Sequence, residues 1–563
     1  MKDFFDSSPH YWGACGIFFR GRLLVHGRTF PEMLSYGLRV VVRAHISTVF
    51  YRIMEETTDT RKNTFLSFWQ RMCSKPERAL LVFLVAWVLC YTLFSTFLRS
   101  VLPGDTVESV SWGAKLQWGS YKHPPLAAWI AYAAARLTGY GDWVFYFLVH
   151  FCVALGVWYV YRTARIFLDG IRSVVAALLL FSCHYYVAPV TSFTPNSVQM
   201  ALQPMMAFYF LVALRRDRWR DWLLLAAVCA AGFLSKYPVF FLVVAMIAAI
   251  CLVPQWRRYL RSVHAWGAAF LFFALVSPHL KWLFDCDFAP MLYVNSSVCD
   301  EESMAPWLWA LYVIPVAFYP VLTGACVLAV ASLPRNFWRA GARDASVLAR
   351  YSAILHFLPC LLLMFLALAG HTLLATWFSI MASWAGIFVV GVWPWKIGDI
   401  QWRRIYAMMW IMLAVVVLAS IVHLATPSKV NRHLDCGDLC RQVSEAWQDI
   451  APAGERMDYL LGDQWMVNLV EFYSPSHPVS VDADDVVMLP WLSGIARERG
   501  ILLAAYRLGE LADIKARLRV DEDMLSSPPH EIKIHFKSLW GDEKNVTCYL
   551  LYLPPGSWEY SRG

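Results

Sequence analysis

Charge is scarce in this chain. Asp, Glu, Lys and Arg make up only 16% of its 563 residues, against roughly 25% in a soluble globular domain. Apolar residues fill the deficit at 58%, with a mean hydropathy of +0.46. Such a composition excludes an ordinary soluble protein and implies a polytopic α-helical membrane protein. There is no Gly-rich phosphate loop to cradle a nucleotide, so no nucleotide site, metal or other cofactor is expected. No isolated apolar core precedes a small-residue cleavage site in residues 1–78, so these are expected to stay as a cytoplasmic extension rather than form a cleaved leader. Within them, the segment from Tyr36 to Met54 carries Arg39, Arg43 and Arg52 and suits a basic helix lying on lipid headgroups. The formal net charge of +8 is segregated by loop, which fits membrane orientation and not nucleic-acid binding.

What the chain has in quantity is apolar runs long enough to cross about 30 Å of hydrocarbon. They recur near 79–98, 143–161, 171–190, 197–214, 221–235, 237–253, 263–283, 307–331, 351–369, 372–393 and 405–424. Pro125 to Leu137 is a further embedded or surface helix, so about 11 to 13 transmembrane helices are expected. Arginine tests this division independently. Every second loop is basic, carrying for example Arg162 and Arg165, then Arg215, Arg216, Arg218 and Arg220, then Arg257, Arg258 and Arg261. The intervening loops are acidic or neutral, which puts the N-terminus in the cytoplasm. The expected division is an extension (1–78), a transmembrane domain (79–425) with its first outward loop at 99–142, and an outer domain (426–563). Past Leu424 the apolar segments shorten to strand length and alternate with amphipathic helices, the pattern of a small α/β soluble domain.

The polar residues that break this pattern cluster in the first outward loop, Pro103 to Leu126. Asp105 and Glu108 follow the first span; Lys122 and His123 precede Pro124 and Pro125, whose fixed φ angles stiffen their placement. Asp105 is equally readable as a catalytic base and as an acid favoured at a helix start. Lys122 and His123 fit a phosphate clamp or an interfacial anchor. Lys236, between two apolar stretches in Leu234-Ser235-Lys236-Tyr237-Pro238, is a buried cation that requires an anion. Asn196 stands in a polar turn that opens a helix, where anion binding competes with ordinary capping. Trp112, Trp118, Tyr121 and Trp129 suit an interfacial belt or stacking on a sugar. On the outer side, Cys286 and Cys299 flank an acidic loop and are expected to form a disulfide, as, with less support, are Cys436 and Cys440.

Asp105, Trp112, then Gly119-x-Tyr121-x-His123-Pro124-Pro125-Leu126 and Trp129 together resemble the first periplasmic loop of bacterial membrane glycosyltransferases of the C-type fold. This group includes the aminoarabinose lipid A transferase and relatives of the protein O-mannosyltransferases. Ser235-Lys236-Tyr237 is similar to the family's later Ser/Thr-Lys motif. Gly462-Asp463-Gln464-Trp465 and Phe472-Tyr473-Ser474 resemble the external domain of one bacterial subgroup. The likeness runs from about residue 80 to about residue 510, and its first-loop motif is the specific part.

The resemblance implies a glycosyltransferase that moves one sugar from a polyprenyl-phosphate donor to a lipid or glycan acceptor, such as lipid A, at the periplasmic face of a bacterial inner membrane. It implies Asp105 as the catalytic residue, with Glu108 as a second acid. Lys122 or His123, with Lys236, would meet the donor phosphate, while Trp112, Tyr121 and Asn196 would line the substrate site. Two departures stand out. Many members have adjacent Asp-Glu where this chain has Asp105-Thr106, and many have an acid where this chain has Asn196. The rival reading is a lipid or sugar transporter, which predicts internal repeats with paired broken helices. A third is an envelope-assembly or sensor protein, in which Asp105 and Lys236 would be dispensable.

Overall fold

The computed structural model describes residues 73–187, 192–293, 306–333, 346–368, 381–425, 434–482, 489, 492–525, 527–537 and 543–558. The chain divides into two compact units, Met1–Ala79 and Leu80–Gly563. The basic segment Tyr36 to Met54, Thr191, Cys299 and the start of the 372–393 run lie outside the described residues.

The membrane portion is built of helices α1 (Pro76–Leu98), α2 (Gly104–Ala114), α3 (Leu126–Thr138), α4 (Trp143–Ala164), α5 (Gly170–Leu178), α6 (Pro195–Arg216), α7 (Trp219–Ser235), α8 (Val239–Leu252), α9 (Val263–Asp285), α10 (Pro306–Ala331), α11 (Ser346–Leu368), α12 (Ala385–Val392) and α13 (Asp399–Ala425). In α1, Leu81, Val85, Leu89, Leu93 and Phe97 recur every four residues and are exposed, while Phe83, Leu84, Trp87, Val88 and Tyr91 are buried. A helix apolar on both its exposed and its buried faces has lipid as its solvent. Among the described residues six helices are long and apolar enough to cross a membrane, or seven if the sharply bent pair at Val239–Leu252 and Pro254–Arg261 is one span. Among the described residues, then, not every expected run is one full-length helix. The run at 171–190 breaks into α5, a 3-10 turn (Leu179–Ser182) and a short helix (His184–Val187). α7 has 17 residues, a rise of about 26 Å.

The C-terminal portion is an α/β domain: α14 (Cys436–Ile450), β1 (Tyr459–Gly462), α15 (Gln464–Tyr473), β2 (Val479–Asp482), α16 (Leu492–Glu498), β3 (Ile501–Ala505), α17 (Leu508–Arg517), β4 (His530–Lys537) and β5 (Glu543–Leu553). Its five-stranded sheet has the order β2-β1-β3-β5-β4. β1 lies parallel to both β2 and β3, and β5 runs antiparallel to β3 and β4. Leu461, Val481, Leu503 and Leu551 face one apolar layer with Leu511 and Ile514 of α17. Leu460, Leu502 and Leu550 face the other, with Leu439 and Val443 of α14 and Val467 and Val470 of α15. That second layer continues without a break into Val107 and Val110 of α2, Ala131 of α3 and Phe145 of α4. The α/β domain thus shares a core with the loop that bears the candidate residues. Cys436 and Cys440 are buried free thiols in the first turns of α14, so the expected bond between them is absent. Helical spacing directs both toward the sheet, where they act as small hydrophobes.

Candidate active site

The site forms where helix ends meet. Thr106 of α2 accepts a hydrogen bond from the Phe193 amide at 2.9 Å, tying the first loop to the turn before α6. Gln199 Nε2 donates to the Gly232 carbonyl at 2.6 Å and Ser235 Oγ to the Pro195 carbonyl at 3.3 Å, which fixes the start of α6 against the end of α7. Gly113 lets α2 touch α3, since a Cβ there would lie 2.1 Å from the Ala128 carbonyl oxygen. The Lys122 segment is folded by Ser120, whose amide donates to the His123 carbonyl at 2.9 Å and whose hydroxyl receives the His123 amide at 3.1 Å. From α9, His279 Nδ1 lies 2.5 Å from the Trp118 carbonyl oxygen, and Trp282 covers Gly119.

These contacts bring Asp105, Glu108, Lys122, His123, Asn196 and Lys236 to one place. Asp105 meets solvent, yet surrounding protein desolvates it enough to raise its carboxyl pKa, with Lys122 and Lys236 pulling the other way. Lys236 is buried and donates a short hydrogen bond to Asn196 Oδ1. His123 is kept neutral, its pKa driven well below the ordinary imidazole value first by burial and then by Lys236 and Lys122. Capping near the start of α6 falls to Thr194, leaving Asn196 for the lysine.

Lys122 is engaged differently. Its ammonium donates to Glu108 Oε1 at 2.6 Å and to Gln464 Oε1 at 3.3 Å. It also lies 5.7, 4.8 and 5.5 Å from the ring centres of Trp112, Tyr121 and Tyr293. Burial opposes its charge, but Glu108, Tyr293 and Asp482 together outweigh burial and raise its pKa. Glu108 is raised above the usual carboxylate range by burial, and Asp105 and Asp482 add to this against the pull of Lys122. The Tyr121 hydroxyl donates to Asp482 Oδ2 at 3.0 Å. Cys286 packs beside Trp112 and Tyr121; its expected partner Cys299 lies outside the described residues.

Sequence reasoning missed Asp482 and Tyr293, and it named Gln464 only within an external-domain likeness, not at the site. Asp482 ends the alternating strand Val479–Asp482, and an acid closing a buried strand is a readable signal. Gln464 follows the turn Gly462-Asp463. A Cβ on Gly462 would sit 1.8 Å from the Ala504 carbonyl oxygen, and Asp463 caps α15 by accepting from the Trp465 and Met466 amides, both at 3.1 Å. Tyr293 has no local signature. Among the described residues no group of His, Cys, Asp and Glu is arranged to hold a metal ion.

Residues 122–282 match the family described as dolichyl-phosphate-mannose-protein mannosyltransferase. A solved structure of ArnT from Cupriavidus metallidurans bound to undecaprenyl phosphate superposes with a TM-score of 0.50 at 13% identity, covering 84% of this chain and 97% of that one. The apo state of the same protein gives 0.51 at 13% identity, covering 84% and 98%. No curated protein matches the chain. The fold is that of the C-type membrane glycosyltransferases. Within it, the segment that carries Lys122, His123, Asn196 and Lys236 is the part that matches the mannosyltransferase family.

Proposed function

We propose that this protein transfers one sugar from a polyprenyl-phosphate donor to an envelope acceptor, lipid A or another surface glycan, at the periplasmic face of a bacterial inner membrane. The observation that carries the reading is the convergence of a wet, desolvated carboxylate, Asp105, with the Lys122 and Lys236 ammonium groups at the helix ends. The fold supports it, because ArnT in the same fold was solved with undecaprenyl phosphate bound. A buried lysine hydrogen-bonded to a neutral amide keeps its positive charge available to an anion. The chemistry is a displacement at the anomeric carbon. The acceptor oxygen attacks, the bond from that carbon to the phosphate oxygen breaks, Asp105 takes the acceptor proton, and polyprenyl phosphate leaves with the electron pair.

In this scheme Asp105 is the base, and Glu108 is a second acid whose charge is shared with Lys122. Lys236, with Lys122 or His123, meets the departing phosphate, while Trp112, Tyr121 and Asn196 line the substrate space. The α/β domain faces the periplasm and residues 1–78 the cytoplasm. Comparing envelope lipids and glycans by mass spectrometry, with and without the protein, tests the reading. A difference of one sugar names donor and acceptor together; an unchanged envelope under conditions of expression rejects transfer.

A further inference from the structure

The α/β domain reaches the candidate site from above with two polar side chains that the reaction scheme does not use. Gln464 is the first residue of α15 and Asp482 the last of β2, and Asp482 is paired in register with Gly462 at the end of β1. Both stand at the carboxyl ends of parallel strands, where α/β sheets present functional side chains. Between them and the first loop lies Lys122. We propose that Asp482 and Gln464 are positioning residues that, with Glu108, hold Lys122 in the wall of the site, leaving the donor phosphate to Lys236 and His123. The proposal rests on the polyprenyl-phosphate reading above and assigns the phosphate to Lys236 and the neutral His123, not to Lys122.

Geometry carries it. Lys122 already has a buried carboxylate at 2.6 Å, an amide oxygen at 3.3 Å and three aromatic rings around its ammonium. One ring, Tyr121, is itself fixed by its hydroxyl on Asp482. Swinging Lys122 toward a phosphate would leave the buried Glu108 carboxyl oxygen without its hydrogen-bond donor, which is costly for a buried polar group. Lys236 faces the opposite balance. Its hydrogen-bond acceptor is the neutral amide of Asn196, and the carboxylate whose field reaches it is Asp105, which makes no hydrogen bond to it among the described contacts. The neutral His123 adds a ring N–H rather than a second charge. The α/β domain thereby acts on donor recognition through Lys122, without touching the donor.

Two measurements on the full-length protein in detergent test this. The first is equilibrium binding of undecaprenyl phosphate. Lys236→Met should weaken binding at least about tenfold, whereas Lys122→Met should change it less than about twofold. In a Glu108→Gln, Asp482→Asn background Lys122 is released, and there Lys122→Met should weaken binding at least about fivefold. A tenfold loss from Lys122→Met in the otherwise unaltered protein overturns the proposal. Failure of the unaltered protein to bind the lipid rejects the donor reading, and the second measurement still decides on Lys122. It is the rate at which acetic anhydride modifies Lys122, followed by peptide mass spectrometry. Asp482→Asn should raise that rate at least about threefold while Lys236 is unaffected, and Asp482→Glu should leave it unchanged. Equal rates in the parent and in Asp482→Asn overturn the proposal.

Discussion

Asp105 and Lys236 act on each other across the candidate site, and the proposed chemistry separates them. A base is needed only as the acceptor proton departs, so Asp105→Asn should lower turnover by roughly two to four orders of magnitude while donor binding survives. A lysine that meets phosphate acts before, during and after transfer, so Lys236→Ala should lower donor affinity and turnover together. Single-turnover kinetics with separately measured donor binding checks both; near-normal turnover in Asp105→Asn rejects the assignment of the base. That Asp105, Lys122 and His123 stand out was legible in the sequence, because charge among apolar runs is costly and therefore informative. Their contacts were not. The Glu108 to Lys122 ion pair depends on a turn folded by Ser120, and the Tyr121 to Asp482 bond joins residues 361 positions apart.

Helix ends decide how the cavity is built, so small residues at contacts matter more here than apolar bulk. Gly113→Ala would drive a methyl to 2.1 Å from the Ala128 carbonyl oxygen and 2.6 Å from the Tyr132 Cβ. It should cost about 1–3 kcal/mol and should shift α2, lowering both thermal stability and activity; an unchanged melting temperature would contradict the packing argument. The loop after α9 is a second case. A bond between Cys286 and Cys299 closes a loop of fourteen residues, worth about 3 kcal/mol in the chain-entropy model. Because Cys286 packs beside Trp112 and Tyr121, that bond would steady the wall of the cavity. Protein purified without reductant should show neither thiol by alkylation, and free thiols at both positions would reject the bond. Periodicity placed α1, α4, α6, α9 and α10 within a few residues, since each is one long apolar run, but began α13 six residues late, because its first turns carry Asp399, Arg403 and Arg404. It placed 171–190 poorly because apolar content alone does not distinguish one span from a helix, a 3-10 turn and a short helix in series.

The α/β domain and the first loop fold as one body, which composition alone did not reveal. A shift in composition marks where a domain begins but says nothing of a core shared across that boundary, such as the one joining Val107 and Phe145 to Val467 and Leu502. Polar contacts seal the same seam. The Leu102 amide donates to the Tyr473 hydroxyl at 2.9 Å, and that hydroxyl donates to Asp142 Oδ2 at 2.9 Å. Burial raises Asp142 from 3.8 to about 6, against the help of Tyr473. The folded state therefore holds this proton more tightly than the unfolded chain does. Stability contributed by protonated Asp142 is present at low pH and declines as pH rises from 3.8 through about 6. Asp142→Asn keeps an acceptor for Tyr473 and removes the titration, so its melting temperature should gain on the parent as pH rises through that window. Parallel curves would show that this carboxyl does not couple to folding.

In the proposed topology a site made from the ends of α1, α4, α6, α7 and α9 lies on the outer side of the membrane. Helices that meet at one end of a bundle deliver Asp105, Lys122, Asn196 and Lys236 to the same membrane surface, and the shared core holds the α/β domain there with them. The basic loops carrying Arg215, Arg216, Arg257 and Arg258 belong to the opposite ends of α6, α7, α8 and α9, and such loops stay in the cytoplasm. Cysteines introduced singly at 105, 122 and 300, and at an exposed position of the α/β domain such as Arg441, should all react with a membrane-impermeant thiol reagent applied from outside. Cysteines at 216 and 257 should react only after the membrane is opened. Cytoplasmic labelling at 105 or 300 would place the carboxylate and the lysines on the side of nucleotide sugars, and the polyprenyl-phosphate donor would lose its physical basis.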